Sequence, residues 1–244
     1  LPLGVVGVAV GVALLPLLTR QLADGDEAAA SDSQNRAIEF ALILTLPAAA
    51  ALVTIAGPIV SVLFERGAFD AAAAANTAAA LAAFAVGLPA YVLIKALTPG
   101  FFARQDTATP VKVAVFAMVL NVVLAVTLMQ VMAHVGIALA TACSAWINAL
   151  ALCFILHRRN QLRIDPRLRR NAPRALAAAI VMAVSLVFGE SALGPYLGGS
   201  SLEKISALCG LVALGLGVYA FAAQLFGAVR VSELRAMLRR SPSS

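Results

Sequence analysis

Apolar positions along this chain gather into blocks of membrane length, and polar positions gather in the turns between them. Seven blocks stand out: Leu1 to Leu18, Ala37 to Ala56, Ala71 to Leu97, Val111 to Met132, Val135 to Leu156, Ala172 to Phe188 and Ile205 to Val229. A helix needs about 20 predominantly apolar residues to cross the hydrocarbon core, and in lipid it satisfies its own backbone while doing so. The pattern predicts an all-α, polytopic transmembrane helix bundle of seven spans, the sixth the shortest. Between the second and third blocks, GPIVSVLFERGAFD from Gly57 to Asp70 carries Ile59, Val60, Val62, Leu63 and Phe64. These are too few to span, and they predict a hairpin lying at the membrane surface. The first block has no basic leader and contains Pro2 and Pro16, so it reads as a truncated membrane span and not as a signal peptide.

Composition supports the bundle: 61% of the 244 residues are hydrophobic, 12% are charged and the mean hydropathy is +0.93. A soluble domain carries about 25% charged residues, so water is excluded as the solvent for most of this surface. The cations then set the direction of the spans. Arg20 and Arg36 flank one set of turns, as do Lys95, Arg104 and Lys112. The same set holds Arg158, Arg159, Arg163, Arg167, Arg169, Arg170 and Arg174, then Arg230, Arg235, Arg239 and Arg240. Only Arg66 and Lys204 fall in the opposite set, beside Glu65, Asp70, Glu190 and Glu203. Lys and Arg accumulate on the cytoplasmic side, so the first span runs from outside to inside and the carboxyl tail is cytoplasmic.

The net charge of +6 and pI near 9.8 do not point to nucleic acid. The arginine-rich segment HRRNQLRIDPRLRRNAPR, His157 to Arg174, has no aromatic residues interleaved for base stacking, and topology accounts for its charge. Membrane lipids with anionic headgroups are its expected neighbours. Cys143, Cys153 and Cys209 lie in apolar blocks without metal-ligand spacing, and His134 and His157 stand at opposite ends of one span. No metal site, disulfide framework or enzyme constellation is expected.

The chemistry-bearing candidates are few. Gly4, Gly7, Gly11, Pro16, Pro47, Gly87 and Pro89 load the first three spans with helix-bending residues, as expected of a mobile bundle lining a cavity. Arg20 and Lys95, at the cytoplasmic ends of the first and third blocks, are candidates for lining that cavity or for anchoring the helices at the interface. Asn121 in the fourth block faces Thr141, Ser144 and Asn148 in the fifth. These polar groups suit either an oxygen-lined pocket for a small cation or interhelical hydrogen bonds. The turn TPGFFARQDTATPVK, Thr98 to Lys112, places Arg104, Gln105, Asp106, Thr109 and Lys112 at the cytoplasmic mouth. They are candidates for a gate, pairing internally or with a neighbouring loop; the alternative is a solvated turn obeying the positive-inside rule.

That turn, extended to KALTPGFFARQDTATPVK at Lys95 to Lys112, joins LPLGVVGVAVGVALLPLLTR at Leu1 to Arg20 and GPIVSVLFERGAF at Gly57 to Phe69. Together the three strings resemble the MurJ (MviN) family of lipid II flippases, within the multidrug/oligosaccharidyl-lipid/polysaccharide exporter superfamily. The resemblance implies a fourteen-helix transporter of the bacterial inner membrane, of which this chain is the last seven helices. Residues 1–156 would be five second-lobe spans, 157–174 a basic cytoplasmic loop, 175–229 two additional helices and 230–244 a cytoplasmic tail. It implies translocation of an undecaprenyl-pyrophosphate-linked peptidoglycan precursor, lipid II, by alternating access, with cell-wall synthesis proteins as candidate partners. It also implies a sodium site near Asn121 and Thr141, with Ala125 standing where a carboxylate would be wanted. The cavity arginines implied for the family fall outside this chain. Two alternatives stand beside this reading: export of another amphipathic or lipid-linked substrate, and a non-transporting membrane scaffold of the cell-wall machinery.

Overall fold

The computed structural model describes residues 2–65, 69–197 and 201–227. The expected cytoplasmic tail at 230–244, and Arg66 in the turn between the second and third spans, lie outside the described residues. Among the described residues every regular element is an α-helix: α1 (Pro2–Ala23), α2 (Glu27–Thr54), α3 (Ala56–Phe64), α4 (Ala71–Ala85), α5 (Leu88–Phe102), α6 (Ala108–Arg158), α7 (Pro166–Leu197) and α8 (Ser201–Leu225). Stretches long and apolar enough to cross a membrane are Glu27–Thr54, Ala71–Phe102, Ala108–Arg158, Pro166–Gly194 and Leu202–Leu225. The expected seven spans are recovered when α1 is added and α6 is divided in two.

That division is forced by length. A straight helix of the 51 residues in α6 would reach about 75 Å, more than twice the hydrocarbon thickness. The chain instead reverses at Ala133, whose φ of 48° and ψ of −128° interrupt the helix. Gly136 is thereby pressed against Leu128, so that a Cβ on Gly136 would lie 2.4 Å from the Leu128 carbonyl oxygen. The fourth and fifth spans are therefore antiparallel limbs with almost no loop between them.

The third block is a bent span and not one continuous helix. Pro89 has no N–H to donate to the Ala85 carbonyl, and α4 ends at Ala85. The neighbouring Val86 carbonyl accepts the indole N–H of Trp146 at 2.9 Å. Gly87 lets α6 approach, since a Cβ there would lie 2.8 Å from Ala142 Cα.

The expected surface hairpin at Gly57 to Asp70 is replaced over 56–64 by the helix α3. Pro58 cannot donate to the Thr54 carbonyl, and α2 gives way to α3 at Ile55. Ala56 and Val60 are buried against Ala74 and Ala78 of α4, while Leu63 and Phe64 remain exposed.

The sixth span is longer than its apolar core suggested, and the basic loop is correspondingly shorter. Asp165 accepts the Leu168 N–H at 2.6 Å and Pro166 occupies the first helical position, a strong start signal. Residues 166–174 are therefore the first turns of α7 and not loop.

Packing relies on small residues. Ala90, Ala145 and Ala149 form one buried seam between α5 and α6, and Ala175, Ala178, Ala222 and Ala223 form another between α7 and α8. Small side chains let helices in lipid approach closely and gain dispersion contact, because burial from lipid alone gives little. The α7–α8 pair is held to α2 by Ile55 packing with Met182, Leu186 and Leu211, and by the Tyr219 hydroxyl donating to the Ile43 carbonyl at 2.7 Å.

Candidate functional site

Three turns at the cation-rich end of the bundle are built alike. In each, a residue with positive φ closes the preceding helix: Gly25 (77°), Gln105 (60°) and Asn160 (58°). The N–H of that residue bonds three residues back and the next N–H bonds five back, as in Asp26 to Gln21, Asp106 to Phe101 and Gln161 to Leu156. This double closure satisfies carbonyls that the helix end leaves open. An aspartate then caps each following helix: Asp26 accepts from Ala29 at 2.8 Å, Asp106 from Thr109 at 2.9 Å and Asp165 from Leu168 at 2.6 Å.

The charges of the signature turn are bonded to the neighbouring turns. Arg104 donates to Glu27 at 2.5 Å, to the Gly100 carbonyl at 2.8 Å and to the Gln161 carbonyl at 3.3 Å. Asp106 also accepts the Thr109 hydroxyl at 2.6 Å and Arg159 at 2.6 Å, and Arg159 reaches the Thr109 oxygen at 3.2 Å. The Thr109 bonds, with Arg159 beside them, hold the Asp106 carboxyl well below the usual range, at about 2. Of the five candidate gate residues, Arg104, Asp106 and Thr109 are brought together with the 159–161 turn. Gln105 and Lys112 are exposed on the outside of this cluster.

A second cluster joins α2 to the start of α7. Glu39 is buried, 4% exposed, and accepts from Asn171 Nδ2 at 2.6 Å, from Arg167 Nε at 3.2 Å and from Arg36. Arg36 also pairs with Asp165. Beside them Asn35 donates to the Arg163 carbonyl at 2.7 Å, and the Arg163 N–H donates to Ser31 at 2.9 Å. Deeper still, Gln34 donates to the Ala96 and Leu97 carbonyls of α5 at 3.3 and 3.2 Å. Removing one partner from such a group leaves the other charge buried and unpaired, which is costly. Sequence reasoning did not single out Glu39. Its signal is its position, a carboxylate inside the second apolar block, where an ionisable group needs a partner.

Lys95 lies elsewhere, in a groove between α1 and α5 with a volume of about 630 Å³. Gly11, Val12, Leu15 and Pro16 form one wall; Ile94, Thr98, Pro99 and Phe102 form the other. Its ammonium makes no ion pair with the described residues, and Arg20 is exposed further along α1. The candidate cation or interhelical polar pair is Asn121 and Thr141. Thr141 donates back to the Ile137 carbonyl at 2.9 Å, Asn121 Oδ1 is buried without a partner, and no carboxylate from the described residues joins them. Two neutral oxygens supply little of the charge and coordination a hard cation needs.

A set of membrane-length helices bent at Gly and Pro and ion-paired across one end defines a polytopic α-helical membrane protein. The model of the lipid II flippase MurJ family matches residues 1–207. A probable lipid II flippase MurJ from Rhizobium tropici is 45% identical over 242 residues, which is 98% of this chain and 45% of that protein. Its counterpart from Rhizobium meliloti is 43% identical over 246 residues, 100% of this chain and 46% of that protein. A solved structure of lipid II flippase MurJ in an inward closed conformation superposes with a TM-score of 0.74 at 20% identity, covering 92% of this chain and 44% of that one. The chain belongs to the MurJ family of lipid II flippases. It spans a little under half the length of these relatives.

Proposed function

We propose that this chain is the second lobe and the two additional helices of a flippase that moves lipid II across the bacterial inner membrane by alternating access. The observation that carries the reading is the family match over residues 1–207 together with 45% identity to a probable lipid II flippase. The lobe is 1–156, the additional helices are α7 and α8, and the arginine-rich end is cytoplasmic by the positive-inside rule. An anionic pyrophosphate headgroup calls for a cationic cavity between two lobes, while its polyprenyl tail stays against apolar helices. The cross-linked turns would let α1, α2, α5, α6 and α7 rock together as one body. Arg20 and the Lys95 groove along α1 are the candidates for contact with the headgroup. Gln105 and Lys112, outside the cluster, are the candidates for contact with the opposite lobe.

Flippase-depleted cells test this reading. The chain joined to the upstream half of a MurJ relative restores growth and periplasmic exposure of lipid II, whereas the chain alone does not. Half a cavity would leave polar lining facing lipid, at several kcal/mol per unsatisfied group. Failure of the joined protein overturns the proposal, and rescue by the chain alone overturns the need for a second lobe.

A further inference from the structure

A second opening lies on the other face of α5. There α7 packs on α8 and α2 but makes no comparable contact with α6, and a crevice of about 230 Å³ remains between α6 and α7. Leu150 and Cys153 form the α6 wall, Leu168 and Ala172 the α7 wall, and Leu42 and Leu93 the floor. Among the described residues lining it, Arg169 is the one that is charged. Ile94 and Lys95 look into the α1 groove, whereas Leu93 and Leu97 look into this crevice. The helix α5 therefore separates the two.

The arginines at this end divide into two groups. Arg36, Arg104, Arg159 and Arg167 are paired with carboxylates. Arg20, Arg158, Arg163, Arg169 and Arg170 are exposed and make no side-chain hydrogen bond or ion pair with the described residues. Of these, Arg158 and Arg169 each end an apolar stripe. On α7, Arg169, Ala172, Leu176 and Ile180 share one face by their spacing; on α6, Leu150, Phe154 and Arg158 do the same. Leu150, Phe154, Leu176 and Ile180 are all exposed. Arg158 also borders a cleft of about 420 Å³ with Phe154, Ile155 and Arg159.

An apolar slot offers water no hydrogen-bond partners, and left empty it forfeits contact on both walls. In a bilayer an acyl chain is the group that fills it. Two guanidinium groups at the headgroup end, ion-paired with no described residue because Asp165 and Asp106 beside them are engaged by Arg36 and Arg159, match a phosphate, whose geometry suits the arginine fork. We propose that the α6–α7 crevice is a binding site for an anionic glycerophospholipid of the leaflet at the arginine-rich end. One acyl chain lies between the helices, and the phosphate is held by Arg169 and Arg158.

The test uses the protein as encoded in its natural reading frame, in nanodiscs, with phosphatidylglycerol carrying a diazirine on its acyl chain. Phosphatidylcholine with the same chain and mole fraction is the control. Phosphatidylglycerol is expected to label residues 149–153 and 168–172 at least five-fold more strongly, and R158Q/R169Q is expected to reduce that labelling to the phosphatidylcholine level. Filling the slot with Ala172→Phe should remove labelling by both lipids. If that variant fails to fold, the double arginine variant, which alters only exposed groups, still decides. Equal labelling by the two lipids, or a preference unchanged in R158Q/R169Q, overturns the site. Displacement by polyprenyl pyrophosphate but not by unlabelled phosphatidylglycerol also overturns it, assigning the crevice to a polyprenyl chain instead.

Discussion

Arg159 and Asp106, 53 residues apart in the chain, meet in a 2.6 Å ion pair that fastens the end of α6 to its beginning. The pair exists because α6 reverses at Ala133 and returns both ends to one face of the bundle. The same carboxylate caps the first turn through Thr109, so one side chain closes a helix start and a long hairpin together.

Asp106→Ala should lower the stability of the purified protein by about 1–2 kcal/mol, from a lost cap of about 1 kcal/mol and a half-exposed pair worth less than that. Its folded pKa of about 2 lies below the ordinary 3.8. The stabilisation is therefore complete above about pH 5 and is lost as pH falls from 4 through 2. Unfolding followed by Trp146 fluorescence, in wild type and Asp106→Asn, should show a gap that is constant from pH 5 to 8 and closes in acid.

Glu39→Ala should be more damaging, because it removes the shared acceptor of Arg36, Arg167 and Asn171. A loss of about 2–4 kcal/mol is expected, discounted from the fully buried case because both arginines reach solvent. Limited trypsin digestion should then cut at Arg163, whose backbone hangs on the same face of α2. Arg167→Ala, which leaves Glu39 two partners, should cost under about 1 kcal/mol and leave that site protected.

Gly136→Ala places a methyl 2.4 Å from a backbone oxygen, and Gly87→Ala places one 2.8 Å from a backbone carbon. Neither neighbour is a side-chain tip that could turn aside, so each change should destabilise by about 1–3 kcal/mol. Gly217→Ala meets nothing within 4 Å and should be neutral or slightly stabilising. Thermal unfolding of the three variants in one detergent compares them directly.

Gln105→Gly should raise stability by about 1 kcal/mol. Gln105 holds a φ of 60°, where an L side chain is strained and glycine is not, and its own side chain is exposed. If Gln105 also meets the opposite lobe, as proposed above, the same variant in the protein joined to an upstream half will unfold at a higher temperature yet move the proposed substrate more slowly. Unchanged flux would leave the residue with a turn-closing role alone.

Hydropathy and charge are properties of short stretches, and they made the spans and the cation-rich end readable without a structure. The breaks were partly written there too: Pro58, Pro89 and the Asp165-Pro166 pair are local signals, and they explain why the surface hairpin, the third span and the basic loop departed from a reading based on apolar length. Glu39 was visible as a carboxylate in an apolar block, yet its partners were not. Arg104 finds Glu27 across 77 residues and Asn171 finds Glu39 across 132.

The sequence by itself therefore determined that the chain is a helical membrane protein, how many times it crosses and which end carries the positive charge, because lipid imposes those rules on each segment separately. The tertiary structure alone decided which arginines are tied into the lobe and which stay free, and which faces of α5 border separate cavities. Partner choice depends on where helix ends meet, and no periodicity along one segment encodes its distance to another.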